Sequence, residues 1–230
     1  MIHSTNLEMT GMQLLKFILT CLFLFSGAIT TADELADMKI QAEAGDSEAQ
    51  YLLGLQYEMG DPKVRDDKQA YSWYTKAAEQ GHAAAQHRLG GLYFTGEGVE
   101  SDQKQGILWY TRAAEQGYAE SQRVLGMAYL LGRGVDQNNE QAVLWLNKAA
   151  ETGLARAQAQ LGNMYYNGDG VEKDNVQAYK WHSIAAAHGN VSSTTYKGAL
   201  EETLTQEEII TAEQLASEWL ADHPPQGTND

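Results

Sequence analysis

The sequence predicts an all-α fold, a right-handed α-solenoid of stacked antiparallel helix pairs that repeats every 36 residues. One observation is a set of columns that stay in register when the chain is shifted by that period. Ala49-Gln50, Ala85-Gln86, Ser121-Gln122 and Ala157-Gln158 align, as do Leu53-Gly54, Leu89-Gly90, Leu125-Gly126 and Leu161-Gly162. Tryptophans recur at Trp73, Trp109, Trp145 and Trp181, each followed by a pair of alanines and then a glycine. A second observation is that Ala85, Leu89, Gly90 and Tyr93 share one sector at ~100° per residue, which is the buried face of a helix. The third is punctuation: 22 glycines against 3 prolines in a chain that is 43% hydrophobic suit short helices broken by turns, and argue against disorder.

Residues 1–32 stand apart from this pattern. Lys16 precedes an apolar run from Phe17 to Phe25, and small residues follow, the parts of a secretory signal cleaved after Ala28 or Ala32. Translation could begin at Met1 or Met12. The run is short of the about 20 apolar residues a membrane span needs, so no stable membrane insertion is expected after cleavage. Cys21, the only cysteine, reads as an apolar member of the run, and a disulfide framework is excluded. Residues 33–48 are expected to form an N-terminal capping helix. Four repeats follow over 49–189, as 49–84, 85–120, 121–156 and 157–189.

Within each repeat, helix A carries a mid-helix glycine such as Gly90, which costs ~1 kcal/mol against alanine and therefore implies close approach of a neighbour. A Gly-x-Gly-Val loop supplies positive-φ positions. Asp66, Asp102, Asn138 and Asp174 sit where the N-cap of helix B falls. Helix B (about 103–116 in the second repeat) is expected to bury its tryptophan and paired alanines, with Gly117 ending it. Residues 190–222 form a C-terminal capping segment and helix: 190–204 reads as a degenerate helix or loop, and Thr205 to Glu208 as a capping box. Residues 223–230 are expected to be a flexible tail.

The unit AQHRLGGLYFTGEGVESDQKQGILWYTRAAEQG resembles the Sel-one-like repeat, a relative of the tetratricopeptide repeat. The likeness covers residues 49–189 and departs in the first unit, where Pro62-Lys63 stands in place of the Gly-Val of later loops. It implies a protein-binding role, since related proteins assemble complexes or restrain membrane-bound signalling receptors. Some secreted, cysteine-rich relatives are linked to penicillin binding and β-lactamase activity. That alternative, a β-lactamase-like or peptidoglycan-binding cell-wall protein, lacks the cysteines of its branch, and its nearest serine–lysine equivalent in this reading is Thr194-x-x-Lys197.

The net charge of −15 excludes a nucleic-acid role, which needs a basic face. No histidine pair has metal-ligand spacing, so no cofactor or metal is expected, and the histidines read as solvated or turn residues. What remains is binding. Opposite the buried columns of helix A lie Tyr51, Leu55, Glu58, His87, Phe94, Arg123, Met127, Leu130, Asn163 and Tyr166, which vary from unit to unit and are apolar for a solvent face. These residues are the candidate concave face for a peptide or helix of a protein partner. The whole is expected to be a non-catalytic, secreted interaction scaffold or adaptor in a bacterial periplasm, regulating an envelope complex or signalling receptor.

Overall fold

The computed structural model describes residues 32–224, so the predicted leader lies outside the described residues except for Ala32, as does most of the predicted tail. The described residues form eleven α-helices and no strand. Helix α1 (Ala32–Glu43) precedes four antiparallel pairs: α2 (Ser47–Met59) with α3 (Asp67–Glu79), α4 (Ala83–Thr95) with α5 (Gln103–Glu115), α6 (Ala119–Leu131) with α7 (Asn139–Glu151), and α8 (Ala155–Asn167) with α9 (Asn175–Ala187). Helices α10 (Val191–Glu201) and α11 (Gln206–Asp222) close the array. From α1 to α10 each helix packs on the next in sequence, and α11 packs back on α9, which is the connectivity of a solenoid.

The B helices begin where the sequence offers an acceptor. Asp66, Asp102 and Asp174 each take two backbone N–H groups at the start of a B helix, and Asn138 takes one. Thr205 and Glu208 complete a reciprocal capping box that opens α11. The stretch after Gly189, expected to be a degenerate helix or loop, is helical from Val191, capped by the side chain of Asn190.

Mid-helix glycines let the pairs approach. A Cβ built on Gly54 would lie 2.6 Å from the Tyr74 ring, on Gly90 3.0 Å from Tyr110, on Gly126 2.6 Å from Leu146, and on Gly162 2.7 Å from His182. The four partners follow the tryptophans by one residue, and this column, not the tryptophans, fills the space between the helices. Tyr74 and Leu146 have no solvent exposure, whereas Trp73, Trp109 and Trp145 are half-buried. Their outer faces carry Lys76, Arg112 and Lys148, with the cation 3.8, 4.3 and 4.2 Å from the ring centroid. Only Trp181 is buried, against Trp219 of α11. The expected tryptophan core is thus corrected: a B helix has one deep column, and these tryptophans lie beside it.

A buried glutamine ladder stitches the stack. Gln50, Gln86, Gln122 and Gln158 donate from Nε2 to the carbonyls of Ala42, Ala78, Ala114 and Ala150, at 3.0–3.1 Å. The Oε1 atoms of Gln50 and Gln86 accept from Gln80 and Gln116 at 2.7 Å. The third rung is broken, because Thr152 occupies the equivalent place and Gln122 Oε1 is buried without a partner. His182 is also buried, its Nδ1 3.3 Å from Ser193 Oγ, so it is neither a solvated nor a turn histidine.

Candidate functional site

The ten predicted residues lie on the A helices α2, α4, α6 and α8, where Tyr51, Glu58, His87 and Phe94 also touch the Tyr74 or Tyr110 side chains of the paired B helices. Of the ten predicted groove residues, Leu55 is 4% exposed and belongs to the packed core. Tyr51, Glu58, His87, Phe94, Arg123, Met127, Leu130 and Asn163 are half-buried, and Tyr166 is exposed. The difference at Leu55 arises because the face of the first A helix is buried more widely: Leu52, Leu53, Gly54, Leu55 and Gln56 are consecutive buried residues.

The face changes character along its length. At its N-terminal end, the Tyr51 ring stacks on His82 at 4.8 Å. His82 Nδ1 accepts from the Ala85 amide as the N-cap of α4, which leaves Nε2 to donate to Glu48 at 3.0 Å. The Glu58 carboxylate accepts from the Tyr74 hydroxyl and pairs with Arg88 at 3.5 Å. Burial and the neighbouring Glu58 hold the Tyr74 phenol far above its ordinary range, so it stays a donor.

In the middle, His87 Nδ1 meets Ser121 Oγ at 2.8 Å, and its ring lies 5.2 Å from Tyr110 and 5.1 Å from Tyr118. Burial, with the charges of Arg88 and Arg123, pushes His87 down to about 4, so it is neutral near pH 7. Arg123 donates from Nε to Glu120 at 2.8 Å. At the C-terminal end the face is apolar, with Met127, Leu130 and Tyr166, and Lys173 lies 5.2 Å from the Tyr166 ring.

Arg88 and Arg123 are therefore both matched by acids of the same chain, and neither is an open anion site. The arrangement offers aromatic edges, neutral donors and an apolar end, which suits recognition of a polypeptide by shape. Sequence reasoning missed His82, Arg88 and Tyr118, which flank the chosen positions. The missed signal was histidine and tyrosine at the N-caps of α4 and α6, where α2 and α10 have Asp46 and Asn190.

The sequence reading also passed over a serine–lysine spacing at Ser101-Asp102-Gln103-Lys104. These residues, with Tyr93, Gly134 and Val135, line a cleft of about 1010 Å³ between successive loops, and none of the ten groove residues lines it. Ser101 Oγ donates toward the carbonyls of Tyr93 and Phe94, at 3.2 and 3.4 Å, while Asp102 caps α5. In the next repeat Gln137 occupies the same place and donates to Leu130 O. Ser101 thus does the work of loop closure. Lys197 lies 4.8 Å from the Tyr179 ring, and Thr194 is exposed on α10. Among the described residues no group of three or more His, Cys, Asp or Glu side chains could hold a metal ion, and no helix is long and apolar enough to cross a membrane.

The Sel1 repeat family model matches residues 47–82, 83–118, 119–154 and 155–190. Among solved structures, the chain is similar to a protective antigen present in uropathogenic Escherichia coli strains that displays an SLR fold. Identity is 40% and the TM-score 0.77, over 82% of this chain and 40% of that one. It is also similar to a Sel1 repeat protein from Oxalobacter formigenes, with 35% identity and a TM-score of 0.66, over 73% of this chain and 48% of that one. The matched region spans less than half the length of either structure. No curated protein matches the chain.

Proposed function

This chain belongs to the Sel1 repeat family, and from that premise we propose that it is a non-catalytic scaffold whose concave face binds a polypeptide partner in the bacterial periplasm. Sel1 repeat proteins are generally protein–protein interaction scaffolds. The observation that carries the proposal is the partly open apolar surface of the A helices. Phe94, Met127, Leu130 and Tyr166 leave apolar surface open along consecutive A helices, in a chain whose charge is otherwise −15. A peptide or helix laid across them buries that surface, and the donors around His87 and Tyr118 set its register.

Export rests on Lys16, the apolar run Phe17 to Phe25 and the small residues after it. N-terminal sequencing of the exported protein is expected to begin at Asp33 or Ile29; uncleaved protein recovered from the cytosol overturns this part. An adaptor in that compartment would regulate an envelope complex or signalling receptor. The test of binding is cross-linked complex formation by wild type and by Met127→Glu and Tyr166→Glu, each expected to weaken it at least tenfold while the helical spectrum is unchanged. Turnover of nitrocefin by pure protein would contradict the non-catalytic part.

A further inference from the structure

We propose that Ser121 is a positioning residue that fixes the His87 ring as the Nε2–H tautomer, so that the A-helix face presents one neutral N–H donor to a backbone carbonyl of the polypeptide partner. The identity of the acceptor rests on the scaffold reading, while the tautomer rests on this chain alone. Ser121 stands in a buried column that reads Ala49, Ala85, Ser121, Ala157 and Ser193 along successive helices. Packing there needs no hydroxyl, since alanine serves at three of the places. A buried hydroxyl is costly unless it is hydrogen-bonded, and both serines of the column meet a histidine. Ser121 Oγ lies 2.8 Å from His87 Nδ1, across the contact of α4 and α6, and Ser193 Oγ lies 3.3 Å from His182 Nδ1.

Which atom carries the hydrogen follows from the acceptors within reach. Ser193 Oγ donates to Asn190 Oδ1 at 3.1 Å, an oxygen that also accepts from the Ser193 amide at 3.0 Å. With its own hydrogen used, Ser193 accepts from His182, whose proton therefore sits on Nδ1. Among the described residues Ser121 Oγ has no partner besides His87. Were His87 Nδ1 the donor, the serine hydrogen would be buried without an acceptor. Ser121 therefore donates, and the proton of the neutral His87 ring sits on Nε2. The two histidines are opposite tautomers, and both are neutral near pH 7 because burial holds each down at about 4. They also differ in what their free nitrogen meets. His182 Nε2 is enclosed without a partner, whereas His87 is half-buried and its Nε2 is not enclosed. The rings of Tyr110 and Tyr118 flank it at 5.2 and 5.1 Å. The guanidinium groups of Arg88 and Arg123 are paired with Glu58 and Glu120, so neither adds a preference for an anion. What the position offers is one directional, uncharged donor, and an amide carbonyl is its match.

The tautomers are read without a partner, from the ring-nitrogen shifts of the isotope-labelled protein near neutral pH, in wild type and in Ser121→Ala. Wild type is expected to show Nε2–H at His87 and Nδ1–H at His182. Ser121→Ala, which installs the alanine of the other repeats, is expected to move His87 toward a mixture of tautomers and to leave His182 as it was. Nδ1–H at His87 overturns the assignment, and so does a His87 tautomer that ignores Ser121→Ala. The donor itself is tested by cross-linked complex formation with His87→Gln, whose amide nitrogen takes the place of Nε2–H, and with His87→Met, which has no donor. Binding is expected to stay within about threefold of wild type in the first and to fall about tenfold in the second, the scale of one buried acceptor left unpaired. Equal binding by the two variants overturns the carbonyl contact. Undiminished complex in Met127→Glu removes the scaffold reading, and the carbonyl contact with it, whatever the tautomers show.

Discussion

Replacing Gly126 by leucine sets two opposing terms against each other in one helix. Gly126 lies in the middle of α6 and is buried. A Cβ there would lie 2.6 Å from Leu146 Cγ, 3.0 Å from Leu146 Cδ2 and 3.1 Å from the Ala142 carbonyl of α7. Leu146 has no solvent exposure, so its side chain has nowhere to swing, and the Ala142 carbonyl is backbone. Separation of α6 and α7 is the remaining escape, at the expense of packing along both helices. Overpacking of this kind costs about 1–3 kcal/mol, and the upper end applies because the clash begins at the first carbon of the side chain. Leucine's better helix propensity returns about 0.8 kcal/mol. The net expectation is a loss of about 2 kcal/mol, seen by circular dichroism as a lower and broader melting transition, since neighbour contacts carry a solenoid's stability. Gly198 in α10 is the control: nothing lies within 4 Å of its Cβ position, and Gly198→Ala should gain up to about 1 kcal/mol. An unchanged or higher midpoint for Gly126→Leu would refute the close-approach argument.

Three further outcomes follow from the buried polar groups. Thr152→Gln should restore the missing rung to Gln122 Oε1 and raise stability by about 1 kcal/mol in urea titrations; a lower midpoint refutes the ladder. Burial pushes His182 down to about 4, and burial with two arginines does the same to His87. Folding therefore favours their neutral forms, so this contribution is complete above the ordinary value of about 6.5 and is lost as pH falls toward 4, at about 1.4 kcal/mol per unit per histidine. Between pH 7 and 5.5 His182→Leu should lose stability less steeply than wild type, because Leu146 fills the equivalent place in the third repeat; equal slopes would contradict the assignment.

The repeat period, the helix order and the caps were legible because each rests on local chemistry that recurs four times. Asp102 and Gly126 announce a cap and a close contact from sequence alone. The tryptophan column misled because size and regularity suggest burial, whereas the neighbouring column, reading Tyr74, Tyr110, Leu146 and His182, varies in type and hides its common place against the glycines. Leu55 could not be told from Phe94 by spacing, since how much of an A-helix face is covered depends on what packs around it. The ladder was visible as a glutamine column, yet its partners lie eight and thirty residues away, beyond any helical spacing rule.

The proposed groove is tested most directly by placing a photo-cross-linking amino acid at Phe94, Met127 and Tyr166, and at Leu108 and Leu144 on the B helices, where exposure is 52% and 46%. Irradiation in intact cells is predicted to trap one polypeptide partner of defined mass from the three A-helix positions and none from the two B-helix positions. The same adduct from Leu108 and Leu144, with none from the A-helix face, would contradict the account.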